Sequence, residues 1–193
     1  MLKLSLDKPA IRVLGIAESF DRSLNKNSIM AGVVMRSDFV VDGLAMAKCT
    51  VGGMDATDAV ISLYRKLGRT DINAIILSGC VISWYNVVNL NAVYESIGLP
   101  LVCITYEESK GIRDFFIKNF PDDWQFRVEV YEKNGARHEV KLRTGYKVFI
   151  RCLGIELDAG RRLLDKFTLH GRIPEPIRLS KLIARQTMRF MFS

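Results

Sequence analysis

Residues 52–79, GGMDATDAVISLYRKLGRTDINAIILSG, change hydrophobic period within one short stretch. Val60, Ile61, Tyr64 and Leu67 recur at helical spacing, which predicts an amphipathic helix. Asp55 stands at the N-cap position and Asp58 three residues on, a pattern like a capping box. Lys66 and Gly68 mark the helix end. INAIILSG then reads as a strand buried on both faces. A helix leading straight into such a strand is half of a parallel α/β unit.

Upstream, RVLGIAES (12–19), SIMAGVVMR (28–36) and FVVDGLAMAKC (39–49) read as strands with short polar joints, hence an antiparallel meander. Downstream, NVVNLNAVYESIG predicts a helix, LPLVCITYEE a strand and SKGIRDFFIKNF a helix stopped by Pro121. WQFRVEVYEKNGARHEVKL reads as two strands joined through Asn134–Gly135, the strongest short turn signal in the chain. KVFIRCLGI is a further strand, and the helices ELDAGRRLLDKF and PEPIRLSKLIARQTMRF close the chain. This order resembles a ribonuclease-H-like α/β fold, a mixed sheet flanked by helices. No linker or repeat divides it, so residues 1–193 are expected to form a single domain.

The bulk numbers agree with a globular chain: 193 residues, 49% of them apolar. The net charge of +7 is unevenly placed. Residues 1–140 carry 16 Lys and Arg against 17 Asp and Glu, a balance of −1; residues 141–193 carry 12 against 4, or +8. That asymmetry points to a polyanionic partner. No leader is visible in Met1–Ala10. Ile72–Tyr94 holds no charge, but three Ser and Gly and four Asn residues argue against a membrane span. Cys49, Cys80, Cys103 and Cys152 are dispersed with no C-x-x-C, as expected of buried thiols in a cytoplasmic protein. No nucleotide-binding glycine loop, zinc-protease or hydrolase motif is present.

In such a sheet, chemistry collects where strands end and helices begin. Glu18 and Asp21 follow the first strand, Asp55 opens the first helix, Ser78 and Asn86 follow the fourth strand, and Glu107 follows the fifth. Clustered carboxylates can hold Mg²⁺ or Mn²⁺ for phosphodiester cleavage. Each residue also has a structural reading: Asp55 as a cap, Glu18 and Asp21 as loop residues, Ser78 and Asn86 as partners of buried backbone. Trp84 and Tyr85 offer faces on which bases could stack, and would equally fill a core.

RVLGIAES, VGGMDATDAV, LSGCVISWYNVVNL, PLVCITYEES and GRIPEPIRLSKLIA together resemble an archaeal family, endonuclease dU, related to endonuclease V. The resemblance implies a ribonuclease-H-like nuclease scaffold and cleavage of DNA or RNA near deaminated bases with Mg²⁺, hence a role in DNA repair. Its metal-binding acids would fall at Ala17, at or beside Asp55, and at Ser78. Only Asp55 is a carboxylate, with Glu18 adjacent to the first position, so the expected catalytic set is Asp55, Glu18 and Asp21, with Asp55 and Glu18 on the metal.

The final helix carries Arg178, Lys181, Arg185 and Arg189, spaced three, four and four residues apart, and Arg172 precedes it. They line one helical face. Leu179, Leu182, Ile183 and Phe190 are expected to face the body. Arg172, Arg178, Lys181 and Arg185 are the expected nucleic-acid contacts. Three functions remain open: a metal-dependent endonuclease, a non-catalytic nucleic-acid-binding domain, and a domain that binds a small molecule or a protein.

Overall fold

The structure, a computed structural model, describes residues 10–108 and 111–192. Strands β1 (Arg12–Ser19), β2 (Asn27–Arg36) and β3 (Val41–Thr50) are followed by helix α1 (Ala56–Leu67), then by β4 (Ala74–Ser78). Two short strands, β5 (Val81–Ile82) and β6 (Asn86–Val87), precede α2 (Leu90–Ile97) and β7 (Leu101–Thr105). The chain continues through α3 (Arg113–Asn119), α4 (Trp124–Lys133), β8 (His138–Lys141), β9 (Lys147–Leu153), α5 (Leu157–Phe167) and α6 (Glu175–Phe192).

Seven strands form one sheet in the order β3-β2-β1-β4-β7-β9-β8. β4 runs parallel to β1 and to β7, and all other pairings are antiparallel. The mixed sheet is therefore as expected, with a parallel centre and antiparallel arms. β5 and β6 form a separate small hairpin.

Alternation along the strands assigns the two faces. Leu14, Ile16, Met30, Ile75 and Leu77 pack with Val60 and Leu63 of α1 and Val93 of α2. Val13, Ala17, Ile76 and Ile104 pack with Leu163, Leu164 and Phe167 of α5 and Ile177 of α6. Helix α6 lies directly on β1: a Cβ built on Gly15 would stand 2.6 Å from Cβ of Pro176. Ser180 of α6, fully buried, donates to the carbonyl of Gly15 at 2.7 Å and accepts from the amide of Val33 at 3.2 Å.

Three readings require correction. Residues 124–133 form helix α4, not a strand, although the alternation favours one. Arg127 and Val128 are buried there, and tertiary contacts override the local pattern. Gly135 does turn the chain, at φ 74°, but it leads α4 into β8; the hairpin is β8–β9, turned at Gly145. On α6 the buried positions are Pro176, Ile177, Ser180, Ala184 and Met188, while Leu182 and Phe190 are exposed. The predicted third helix begins at Arg113; Ser109 and Lys110 lie outside the described residues. Among the described residues no helix is long and apolar enough to cross a membrane.

Candidate nucleic-acid site at the strand ends

β1, β4 and β7 end at one edge of the sheet, where β2 starts and β3 finishes. Side-chain alternation puts Glu18 and its neighbour Ala17 on opposite faces there. Glu18 pairs in register with Met30 and shares the α1 face, whereas Ala17 and Ile177 pack together on the α6 face.

On the α1 face a continuous polar network joins Glu18 to Asp55. Oε1 of Glu18 accepts from the Ser83 amide at 3.4 Å, and its Oε2 is buried without a hydrogen-bond partner. The Ser83 and Ser28 hydroxyls are 2.6 Å apart, and the Cys49 thiol lies 3.4 Å from Ser83 Oγ. Nδ2 of Asn86 is 3.5 Å from Cys49 Sγ and 2.7 Å from Oδ1 of Asp55. Thr50 donates its amide to Asp55 Oδ1 at 3.0 Å and its hydroxyl to Oδ2 at 2.8 Å. Asp55 occupies the N-cap position of α1, but its side chain makes no capping bond. Asn86, fully buried, accepts the Ala56 amide in its place, at 3.1 Å.

The two carboxyls have opposite tendencies. Burial pushes Glu18 above its ordinary 4.5, opposed by the Ser83 amide and the charge of Lys181. Burial also penalises the Asp55 anion, but the bonds from Thr50 and Asn86 outweigh it and hold Asp55 below 3.8. Asp21 takes no part: its Oδ1 accepts from the amide and hydroxyl of Ser23 at 2.9 and 2.6 Å in a solvent-facing turn. Ser78 ends β4 half-buried. Among the described residues no three His, Cys, Asp or Glu side chains are grouped to hold a metal ion. A divalent cation needs ionised, available carboxylates. Here Asp55 is held by Thr50 and Asn86, burial opposes ionisation of Glu18, and no third ligand is grouped with them among the described residues, so these residues do not fit a ready-made metal centre.

On the α6 face the edge is cationic. Arg172 donates to the carbonyl of Tyr106 at 2.8 Å and to Glu107 at 2.6 Å. Arg178 is held by Glu175 at 2.5 Å, and Lys181, Arg185 and Arg189 are exposed along α6. Asp55 and Arg178 thus belong to helices on opposite faces of the sheet. Arg172, bonded to Tyr106 and Glu107 just after β7, links the basic face to the strand-end edge.

Two features were not legible in the sequence. Ser83, Trp84 and Tyr85 all have left-handed backbone, at φ 46°, 56° and 65°. Such conformations cost on the order of 1 kcal/mol or more per residue. The buried Arg127 opposes that cost, donating to the carbonyls of Tyr85, Gly53 and Gly52 at 2.9, 3.0 and 2.9 Å while pairing with Asp123. No Gly or Asn occupies the turn to announce it.

A family model described as endonuclease dU matches residues 9–188. The chain belongs to the endonuclease dU family. A UPF0215 protein from Pyrobaculum calidifontis is 36% identical over 181 residues, covering 92% of this chain and 97% of that one. A protein of unknown function from Archaeoglobus fulgidus has a similar structure, with a TM-score of 0.78 at 27% identity, over 92% of this chain and 98% of that chain. Endonuclease V from Ciona intestinalis, in complex with inosine-containing DNA, superposes with a TM-score of 0.65 at 13% identity, over 97% and 88% of the two chains. That last likeness establishes the ribonuclease-H-like fold expected from the order of elements. The endonuclease dU chain described here therefore carries an endonuclease-V-like scaffold with alanine and serine at two strand-end positions where the resemblance implies acids.

Proposed function

We propose that this endonuclease dU family member engages nucleic acid along the sheet edge where β1, β4 and β7 end, with the exposed basic face of α6 and Arg172 following the phosphate backbone. One observation carries the reading: Arg172, just ahead of α6, is fixed at the end of β7, donating to the Tyr106 carbonyl at 2.8 Å and pairing with Glu107 at 2.6 Å. The basic stripe therefore adjoins the edge at which this class of fold binds its ligands. The four unpaired thiols are consistent with a cytoplasmic location.

A second reading, metal-dependent cleavage beside a deaminated base, is favoured by the family's description and by the unpartnered oxygen of Glu18. In this reading Asp55 and Glu18 would be the residues to hold Mg²⁺ or Mn²⁺, which would supply charge stabilisation for phosphodiester cleavage.

One experiment tests both. Labelled strands containing uracil or hypoxanthine are incubated with the protein, with Mn²⁺ or with EDTA, and read by anisotropy and on a denaturing gel. Binding that survives EDTA without cleavage supports a binding domain. Mn²⁺-dependent cleavage abolished in Asp55→Asn supports the nuclease. The absence of salt-sensitive binding rejects the proposal.

A further inference from the structure

The left-handed turn at Ser83–Tyr85 presents aromatic side chains on the α1 face, away from the basic stripe of α6. Tyr85 and Phe115 of α3 are stacked, with ring centroids 6.1 Å apart and planes inclined at 21°. Trp84 packs against Phe120 at 5.0 Å, and the guanidinium of Arg22 lies 3.7 Å over the Trp84 ring. Arg113 lies 5.3 Å over Trp124. Phe115 is 52% exposed, and Met54 and Phe126 nearby on the same side are also exposed.

Trp84 and Tyr85 are half-buried, Tyr85 packing edge-on against Phe116 and Phe120, while Phe115 keeps an outer face in solvent. Arg22 and Arg113 lie over rings and make no ion pair among the described residues. Asp114 and Asp122 share the same segments, so the patch is mixed in charge and its specific feature is planar stacking. Rings interleaved with guanidinium groups suit a chain in which planar bases alternate with phosphates. The patch is also continuous with the strand-end network, because Ser83 belongs to both.

We infer that Trp84, Tyr85 and Phe115 form a stacking platform for the unpaired bases of a single nucleic-acid strand, an inference that rests on the nucleic-acid reading above. A duplex keeps its bases stacked on one another and offers no free face, so the platform discriminates single strands from duplex.

The protein has two tryptophans, so Trp124→Phe leaves Trp84 as the sole indole fluorophore. This variant is titrated with an oligothymidylate and with the corresponding duplex. The expected result is quenching of Trp84 emission by the single strand and not by the duplex. Phe115→Ala, a surface change, is expected to weaken single-strand affinity about tenfold. The dependence of affinity on salt stays the same, because Phe115 carries no charge. Arg22→Ala, which leaves the turn intact, is expected to weaken single-strand binding and to lower the salt slope.

Salt-sensitive binding with unchanged Trp84 emission and undiminished affinity in Phe115→Ala would overturn the platform and leave the broader reading standing. Absence of all nucleic-acid binding at about 50 mM salt would overturn both. Self-association abolished by Phe115→Ala would identify a second copy of the chain as the occupant and also overturn it.

Discussion

Asn86 caps α1 in place of Asp55: its Oδ1 accepts the Ala56 amide at 3.1 Å while its Nδ2 donates to Asp55 Oδ1 at 2.7 Å. The same Nδ2 reaches the carbonyl of Thr50 at 2.9 Å. One buried amide thereby joins the end of β3, the start of α1 and the β5–β6 hairpin. Asn86→Asp removes the donor and sets a second carboxylate beside Asp55. The expected loss is about 2–3 kcal/mol, read as a lowered urea midpoint with unchanged slope.

Glu18 makes stability depend on pH in a defined sense. Its folded-state pKa lies above that of the unfolded chain, so the folded protein binds more protons once pH exceeds about 4.5. Stability contributed by neutral Glu18 is fully present below that value and is lost as pH rises through the folded pKa. Glu18→Gln is expected to flatten this fall and to raise the melting temperature at neutral pH. Thermal melts across an acid-to-neutral series measure it; an unaltered profile in the variant would remove Glu18 as the cause.

Arg127 is the most demanding residue of the α1 face, with its side chain 3% exposed. Arg127→Met strands three backbone carbonyls and the Asp123 carboxylate. A cost of about 3–5 kcal/mol is expected, since each buried carbonyl left without its donor costs about 1–3 kcal/mol. Arg127→Lys is expected to recover only part of it, since an ammonium lacks the planar fork. Chemical denaturation of both variants checks the order.

The basic face of α6 predicts a salt effect. Lys181→Ala and Arg185→Ala are each expected to weaken binding to all strands by similar factors and to reduce the log–log salt slope by about one. Anisotropy titrations over a range of salt concentrations decide it. A change confined to one base composition would indicate base reading in place of phosphate tracking.

Arg151, 4% exposed, sets its Nη1 3.4 Å from Sγ of Cys80. A hydrogen bond from Cys103, reinforced by the charge of Arg151, holds the Cys80 thiol well below its ordinary pKa, and Cys103 is raised in compensation. An ultraviolet thiolate step at a pH below that of an ordinary thiol is expected, and it should vanish in Cys80→Ser.

The sheet was legible because its strands are short, apolar and separated by clear helical periodicity, as in residues 52–79. The α4 segment was not: WQFRVEVY alternates like a strand, and only the buried carbonyls that Arg127 must reach explain a helix there. Asp55, Glu18 and Asn86 were recognisable as strand-end residues. That Glu18 and Ala17 point to opposite faces follows from strand alternation, but which helix covers each face was hidden. The cap from Asn86, 30 residues beyond the helix start, has no local signal.

The seating of Pro176 against Gly15 has a consequence for biosynthesis. β1, an interior strand made early, receives its cover from α6, made long after it. Until α6 has been made, Val13, Ala17, Ile29 and Ala31 have only part of their final shelter. Loss of α6 would leave this face of β1 and β2 uncovered and adhesive.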